Sequence, residues 1–159
     1  MAKFEQATLA GGCFWCTEAI FKRVKGASDV ISGYSGGSGD SADYELVSSG
    51  TTRHAEAIQI EFDPKIISYE RLVEIFFHLH DPTTLNQQGN DVGAQYRSII
   101  FYHSEEQKEI AEKVRNKIED EHVYQNKLVT EIIPFENFYK AEDYHQSYYE
   151  NNREAGYCA

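Results

Sequence analysis

An α+β fold is the prediction for this 159-residue chain, and three observations make it. Short alternating apolar segments take turns with segments whose apolar residues recur at helical spacing. The connections between them are mostly brief and carry Gly, Asp, Pro and Ser. Hydrophobic residues make up 41% of the chain, enough at this length to bury one core without disulfide staples. With no repeat, low-complexity linker or charge boundary, residues 1–159 are expected to form a single domain, with 150–159 a mobile tail.

Element by element, Phe4–Leu9 reads as a strand and is broken by Gly11-Gly12. A helix follows from about Cys13 to Arg23, with Ala19, Ile20 and Val24 at helical spacing. A second strand runs near Ala27–Ile31 and ends at GYSGG, Gly33–Gly37, and Asp43–Gly50 looks like a short helix stopped at glycine. Ala55–Asp63 alternates as a strand closed by the turn at Asp63-Pro64. Ser68 can cap the next helix, whose Leu72, Val73, Ile75, Phe76, Phe77 and Leu79 form a broad apolar face. Asp81–Tyr96 then shows neither periodicity, and a loop of that length inside a compact domain points to function. Arg97–His103 reads as a strand, and Ser104 with Gln107 forms a capping box for an amphipathic helix reaching about His122. Leu128–Pro134 is the last strand, before a tyrosine-rich segment and the tail AGYCA. The order β-α-β-β-α-β-α-β suits a two-layer αβ plait of the ferredoxin-like kind, with a mixed sheet and a long irregular C-terminal segment.

The formal net charge is −11, and no basic run of five or more occurs, which disfavours nucleic acid and anionic membranes as partners. The opening MAKFEQATLAGG lacks the apolar run of a signal peptide, and nothing approaches the roughly 18 apolar residues of a membrane span. Three cysteines, an odd number, do not make a structural disulfide framework and fit a cytoplasmic protein with chemically active thiols. A monomer is expected, since no long heptad pattern or extended exposed apolar run is visible.

The stretch GGCFWCTE, Gly11–Glu18, carries the most chemistry. Cys13 stands after a strand and two glycines and at the start of a helix, where unpaired N–H groups and the helix dipole favour a thiolate. A small buried residue at a strand-to-helix corner would occupy the same place. Cys16 is one turn further on, as in redox CxxC motifs, but the intervening Phe14-Trp15 puts bulky apolar surface beside the sulfur. One CxxC with histidines scattered at His54, His78, His80, His103, His122 and His145 does not supply four zinc ligands at standard spacing, so no metal is expected. Cys158 lies in the tail, where a thiol could reach a reactive sulfur or be merely incidental.

A thiol attacking sulfur or carbon needs a proton source for the departing atom. Glu56 opens a strand and could point into a site at that strand's end, although an acid there is more often solvated. Asp91 and Tyr96 belong to the long unpatterned loop, and Tyr44 stands near the start of the short helix. A tyrosine hydroxyl keeps its proton at neutral pH and can hydrogen-bond a polarised oxygen without adding charge, or can simply pack.

Five blocks, GGCFWCTE, GYSGG, YELVSSGTTRHAEA, DPTTLNQQGNDVGAQYRS and FYKAEDYHQSYY, resemble in this order the A-type peptide-methionine (S)-S-oxide reductases, from about Ala7 to Tyr149. The resemblance implies that Cys13 is the nucleophile attacking the sulfoxide sulfur and that Phe14 and Trp15 wall an apolar pocket for the S-methyl group. It makes Glu56 the acid that meets the sulfoxide oxygen, with a pKa raised by a partly apolar site. Tyr44 and Tyr96 would help hold that oxygen, and Asp91 would orient the substrate through water.

Methionine sulfoxide, free or in proteins, is the implied substrate, and attack leaves Cys13 as a sulfenic acid. A second thiol condenses with it, and thioredoxin reopens the disulfide; no metal or organic cofactor is implied. Cys16 departs from the commonest pattern, where glycine stands, so Cys158 and Cys16 are both candidate resolving thiols, with Cys158 favoured to act at some stage. The competing reading is a thioredoxin-like disulfide oxidoreductase built on Cys13 and Cys16, which leaves the HAE and QGND segments unemployed. A non-enzymatic module that binds oxidised methionine is a third reading, and it would tolerate loss of Cys13.

Overall fold

In the computed structural model, residues 4–12, 14–36, 54–80, 82–84, 87–88, 91–124, 126–142 and 145–146 are described, with 87, 88, 91, 92 and 94 described for their backbone alone. The elements are β1 (Glu5–Ala10), α1 (Phe14–Lys22), β2 (Ala27–Ser35), β3 (Ala55–Phe62), α2 (Tyr69–Leu79), β4 (Gln87–Gln88), β5 (Asp91–Val92), a 3₁₀ turn (Ala94–Tyr96), β6 (Ile99–Tyr102), α3 (Glu105–Asp120), β7 (Glu131–Pro134) and β8 (Tyr139–Lys140). The chain is α+β with a mixed six-stranded sheet in the order β7-β6-β1-β3-β2-β8, and β4 and β5 form a separate two-stranded ladder. Within the large sheet β6 and β7 are parallel and the other pairs antiparallel.

Strand alternation sorts the sheet into two faces. Ala7 and Leu9 of β1, with Ile58, Ile60 and Phe62 of β3, pack beneath the apolar stripes of α1, α2 and α3, among them Phe21, Leu72, Phe76, Phe77, Val114 and Ile118. The opposite face carries a smaller cluster of Ala10, Ala55, Ala57, Ile99 and Phe101, against which Ile133, Phe135 and Phe138 pack. Glu56 belongs by this alternation to the helical face, in register with Tyr34 on β2.

The helix caps follow their side chains. Ser68 accepts from the Arg71 N–H at 3.1 Å, and Ser104 accepts from the Gln107 N–H at 3.2 Å. Gln107 returns its side-chain oxygen to the His103 N–H at 2.9 Å, one residue ahead of the expected capping-box partner.

Several sequence boundaries are corrected. β2 does not end at Ile31 but continues through Ser35, because Tyr34 and Ser35 still pair with Glu56 and Ala55 while β8 pairs from the other side at Gly33 and Tyr34. The stretch 81–96 holds the β4–β5 ladder and the 3₁₀ turn, so it is not wholly irregular. The strand expected at Leu128–Pro134 contracts to Glu131–Pro134. Leu128 and Val129 donate their N–H groups elsewhere, to Glu119 Oε1 and to Pro82 O. α3 closes at Asp120, capped by Glu121, rather than at His122. The helix expected at Asp43–Gly50 lies outside the described residues.

Candidate active site

The site is built where β1 turns into α1. Gly12 sits at φ +78°, a left-handed conformation that side chains disfavour, and its N–H donates to Tyr96 O at 3.2 Å. A Cβ on Gly11 would come within 3.0 Å of the His80 and Phe76 rings, so the turn lies flat on α2's last residues. His80 is itself locked. Its Nδ1–H donates to Phe76 O at 2.6 Å, since a carbonyl can only accept, and its Nε2 shares a hydrogen bond with Ser98 Oγ at 2.8 Å. Ser98 in turn meets Thr130 Oγ1 at 2.7 Å, so buried polar contacts tie the floor of the turn to the Tyr96–Ser98 segment.

Cys13 lies outside the described residues, and its neighbours on either side are both well fixed. Phe14 opens α1, where the first N–H groups have no partner within the helix. Its N–H donates to Glu56 Oε1 at 3.3 Å. Glu56 is 2% exposed, so the acid expected near a strand end is neither solvated nor remote: it is sealed at the N-terminus of the cysteine helix.

The two aromatics after Cys13 are gripped by residues that sequence reasoning did not assign. Trp15 Nε1–H donates to His145 Nδ1 at 2.8 Å, and the two rings stack at 5.6 Å with 29° between their planes. An indole N–H can only donate, so His145 Nδ1 is bare and its proton sits on Nε2. Phe14 packs against His145 at 5.1 Å and against Tyr34 at 5.7 Å. Tyr34 directs its hydroxyl to Glu142 Oε1 at 2.9 Å. Burial lowers the His145 pKa from its ordinary value of 6.5 more than the nearby Glu142 carboxylate raises it, so the ring is held neutral and able to accept. The signal that could have found His145 is the single buried indole itself, which needs an acceptor.

Of the other candidates, Tyr96 is half-buried and joins the turn through its carbonyl. Asp91 is placed by its backbone in β5, opposite Gln88. Cys16, half-buried on α1, is disulfide-bonded. Cys13, Tyr44 and Cys158 lie outside the described residues. Among the described residues, no group of three or more His, Cys, Asp or Glu side chains is arranged to hold a metal ion.

The peptide methionine sulfoxide reductase family profile matches residues 5–159. The peptide methionine sulfoxide reductase MsrA of Sulfolobus acidocaldarius is 58% identical over 154 residues, covering 97% of this chain and 86% of that protein. Mxr1 from Saccharomyces cerevisiae in its reduced form superposes with a TM-score of 0.92 at 37% identity, covering 98% of this chain and 90% of that one. The same yeast protein in complex with Trx2 matches with a TM-score of 0.65 over 92% of this chain and 85% of its own. With the glycine turn between β1 and α1, the buried acid and the clamped aromatic pair in place, the chain belongs to the peptide methionine sulfoxide reductase family, in its A-type branch.

Proposed function

We propose that this chain reduces the S epimer of methionine sulfoxide, free or in proteins, to methionine as a thiol-dependent repair enzyme. The Cys13 thiolate attacks the sulfoxide sulfur while Glu56 delivers a proton to the oxygen. The S–O bond breaks, the substrate leaves as the thioether, and the oxygen stays on Cys13 as a sulfenic acid. A sulfoxide sulfur is electrophilic only when its oxygen is neutralised, which is why an acid and hydroxyl donors belong opposite the thiolate. Tyr44 and Tyr96 hold that oxygen, Asp91 orients the substrate, and Phe14 with Trp15 walls the pocket for its methyl group.

A resolving thiol then displaces water from the sulfenic acid to form a disulfide, and thioredoxin, taking up the oxidising equivalents, reopens it. Cys158 and Cys16 share the resolving step; that Cys16 is disulfide-bonded supports its part in it. The observation that carries the reading is the Phe14 N–H bond to Glu56, which seals a carboxyl beside the residue that follows Cys13. Residues 1–159 act as one catalytic domain, with four central strands in the order β6-β1-β3-β2, as a ferredoxin-like plait would arrange them. No helix among the described residues is long and apolar enough to cross a membrane, and we place the enzyme in the cytoplasm.

The test uses a racemic methionine sulfoxide peptide with dithiothreitol as reductant, each epimer followed by chiral chromatography. Loss of the S epimer alone, abolished in Cys13→Ser, is the expected result. Persistence of both epimers, with reduction of a test disulfide, would overturn the reading in favour of CxxC redox chemistry. Serine replacements of Cys16 and Cys158, with disulfides mapped by mass spectrometry, assign the resolving step.

A further inference from the structure

The segment that brings His145 to Trp15 is held to the sheet by a side chain. β8 pairs with β2 at Gly33↔Lys140 and Tyr34↔Tyr139, and Ala141 N–H donates to Ser32 O at 2.9 Å. The Gln146 amide then returns to the same residue. Ser32 N–H donates to Gln146 Oε1 at 3.0 Å, and Gln146 Nε2 donates to Ser32 O at 2.9 Å and to Ala141 O at 3.1 Å. The main-chain partners fix which end of the amide is which, since an N–H only donates and a carbonyl only accepts. Gln146 therefore satisfies both backbone groups of fully buried Ser32, as the next residue of an opposing strand would.

A second tie lies on the other side of His145. Tyr34, two residues along β2 from Ser32, holds the Glu142 carboxylate, and Glu142 O accepts the His145 N–H at 2.9 Å. His145 is thus pinned by β2 through residues before and after it, and it presents a bare Nδ1 to the indole of Trp15. Freed from that acceptor, the indole could pivot about its own side-chain torsions, and the wall it forms would lose its set position.

We propose that Gln146 is a positioning residue for the substrate pocket: by clasping Ser32 it keeps His145 on the Trp15 indole, and so fixes the wall that restricts the sulfoxide sulfur to a methyl substituent. This rests on the reading of Phe14 and Trp15 as the walls of that pocket. One methylene in an apolar pocket is worth roughly 10- to 200-fold in discrimination, so a loosened wall should be visible in the choice between methyl and ethyl.

The test compares the full-length enzyme with Gln146→Ala, Gln146→Glu and Trp15→Phe under dithiothreitol-driven turnover, using methionine sulfoxide and its S-ethyl homologue. Trp15 is the only tryptophan in the chain, so intrinsic fluorescence reports its surroundings without substrate. Gln146→Glu keeps the volume and the acceptor for Ser32 N–H but turns an oxygen on Ser32 O and Ala141 O, and it substitutes should the alanine variant fail to fold. The expected result is a shifted emission maximum together with at least an approximately fivefold fall in the methyl-over-ethyl ratio of kcat/KM. Unchanged emission in both Gln146 variants would overturn the proposal. So would shifted emission with a wild-type ratio, where Trp15→Phe does change the ratio. If Trp15→Phe itself leaves the ratio unchanged, the pocket reading fails and the positioning role fails with it.

Discussion

The carboxyl of Glu56 and the main-chain N–H of Phe14 lie 3.3 Å apart in the buried corner where β3 meets the first turn of α1. The same group thus satisfies an orphan helix donor and, in the mechanism proposed above, is the acid that meets the sulfoxide oxygen. Glu56→Gln separates the two roles, because the amide oxygen can still accept from Phe14 while the transferable proton is gone. Activity should fall about 10²- to 10³-fold with little change in melting temperature. Steady-state turnover and a thermal melt of the same variant check it.

Tyr34→Phe removes the hydroxyl that meets Glu142 without changing the ring that packs on Phe14. The cost should be about 1–2 kcal/mol, since a hydrogen bond to a charged group is lost and a carboxylate is deprived of that donor. Urea unfolding of wild type and variant measures it, with an unchanged slope expected.

Stability should decline on mild acidification. Burial lowers the pKa of both His145 and His103. The unfolded chain therefore binds protons first as pH falls through about 6.5, and the folded state loses ground until its own lower pKa values are reached. Above about pH 7 both states are neutral at these rings and the two residues contribute no slope. Unfolding free energies between pH 5.5 and 8 should show the fall, and His103→Gln should make it shallower. Protonation at His145 Nδ1 also ejects the Trp15 N–H, so tryptophan emission of the folded protein should shift only at the acid end of that limb, where the lowered folded pKa is reached.

Gly33→Ala tests whether β8 is seated as tightly as it looks. A Cβ there would overlap the Phe138 ring and the Tyr139 carbonyl, and backbone cannot step aside as a long side chain can. A loss of about 1–3 kcal/mol is expected from the overpacking. Turnover should fall as well, because the strand that is pushed away leads into the segment bearing His145. Chemical denaturation and an activity assay together read both effects.

These residues also show what a linear reading can and cannot deliver. The succession of the longer elements was legible because those helices and strands carry their own periodicity, whereas the two-residue strands β4, β5 and β8 are too short to carry one, and the caps at Ser68 and Ser104 lie within a few residues of what they cap. Glu56 was legible as an acid at the opening of a well-patterned strand. Gly33 was not, since a GYSGG cluster reads locally as a loop, and its place inside β2 depends on a partner strand more than a hundred residues later. His145 shares that difficulty: its role is set by an indole 130 positions away. Cys13, Tyr44 and Cys158 stand on sequence alone, outside the described residues.

The core beneath the helices is packed with phenylalanine, isoleucine, leucine and valine, and the chain's single methionine is Met1. Oxidants that turn a buried thioether into a polar sulfoxide break open many proteins from within. This interior gives them no thioether to convert, so the enzyme should keep its shape under the same chemical stress that generates its clients.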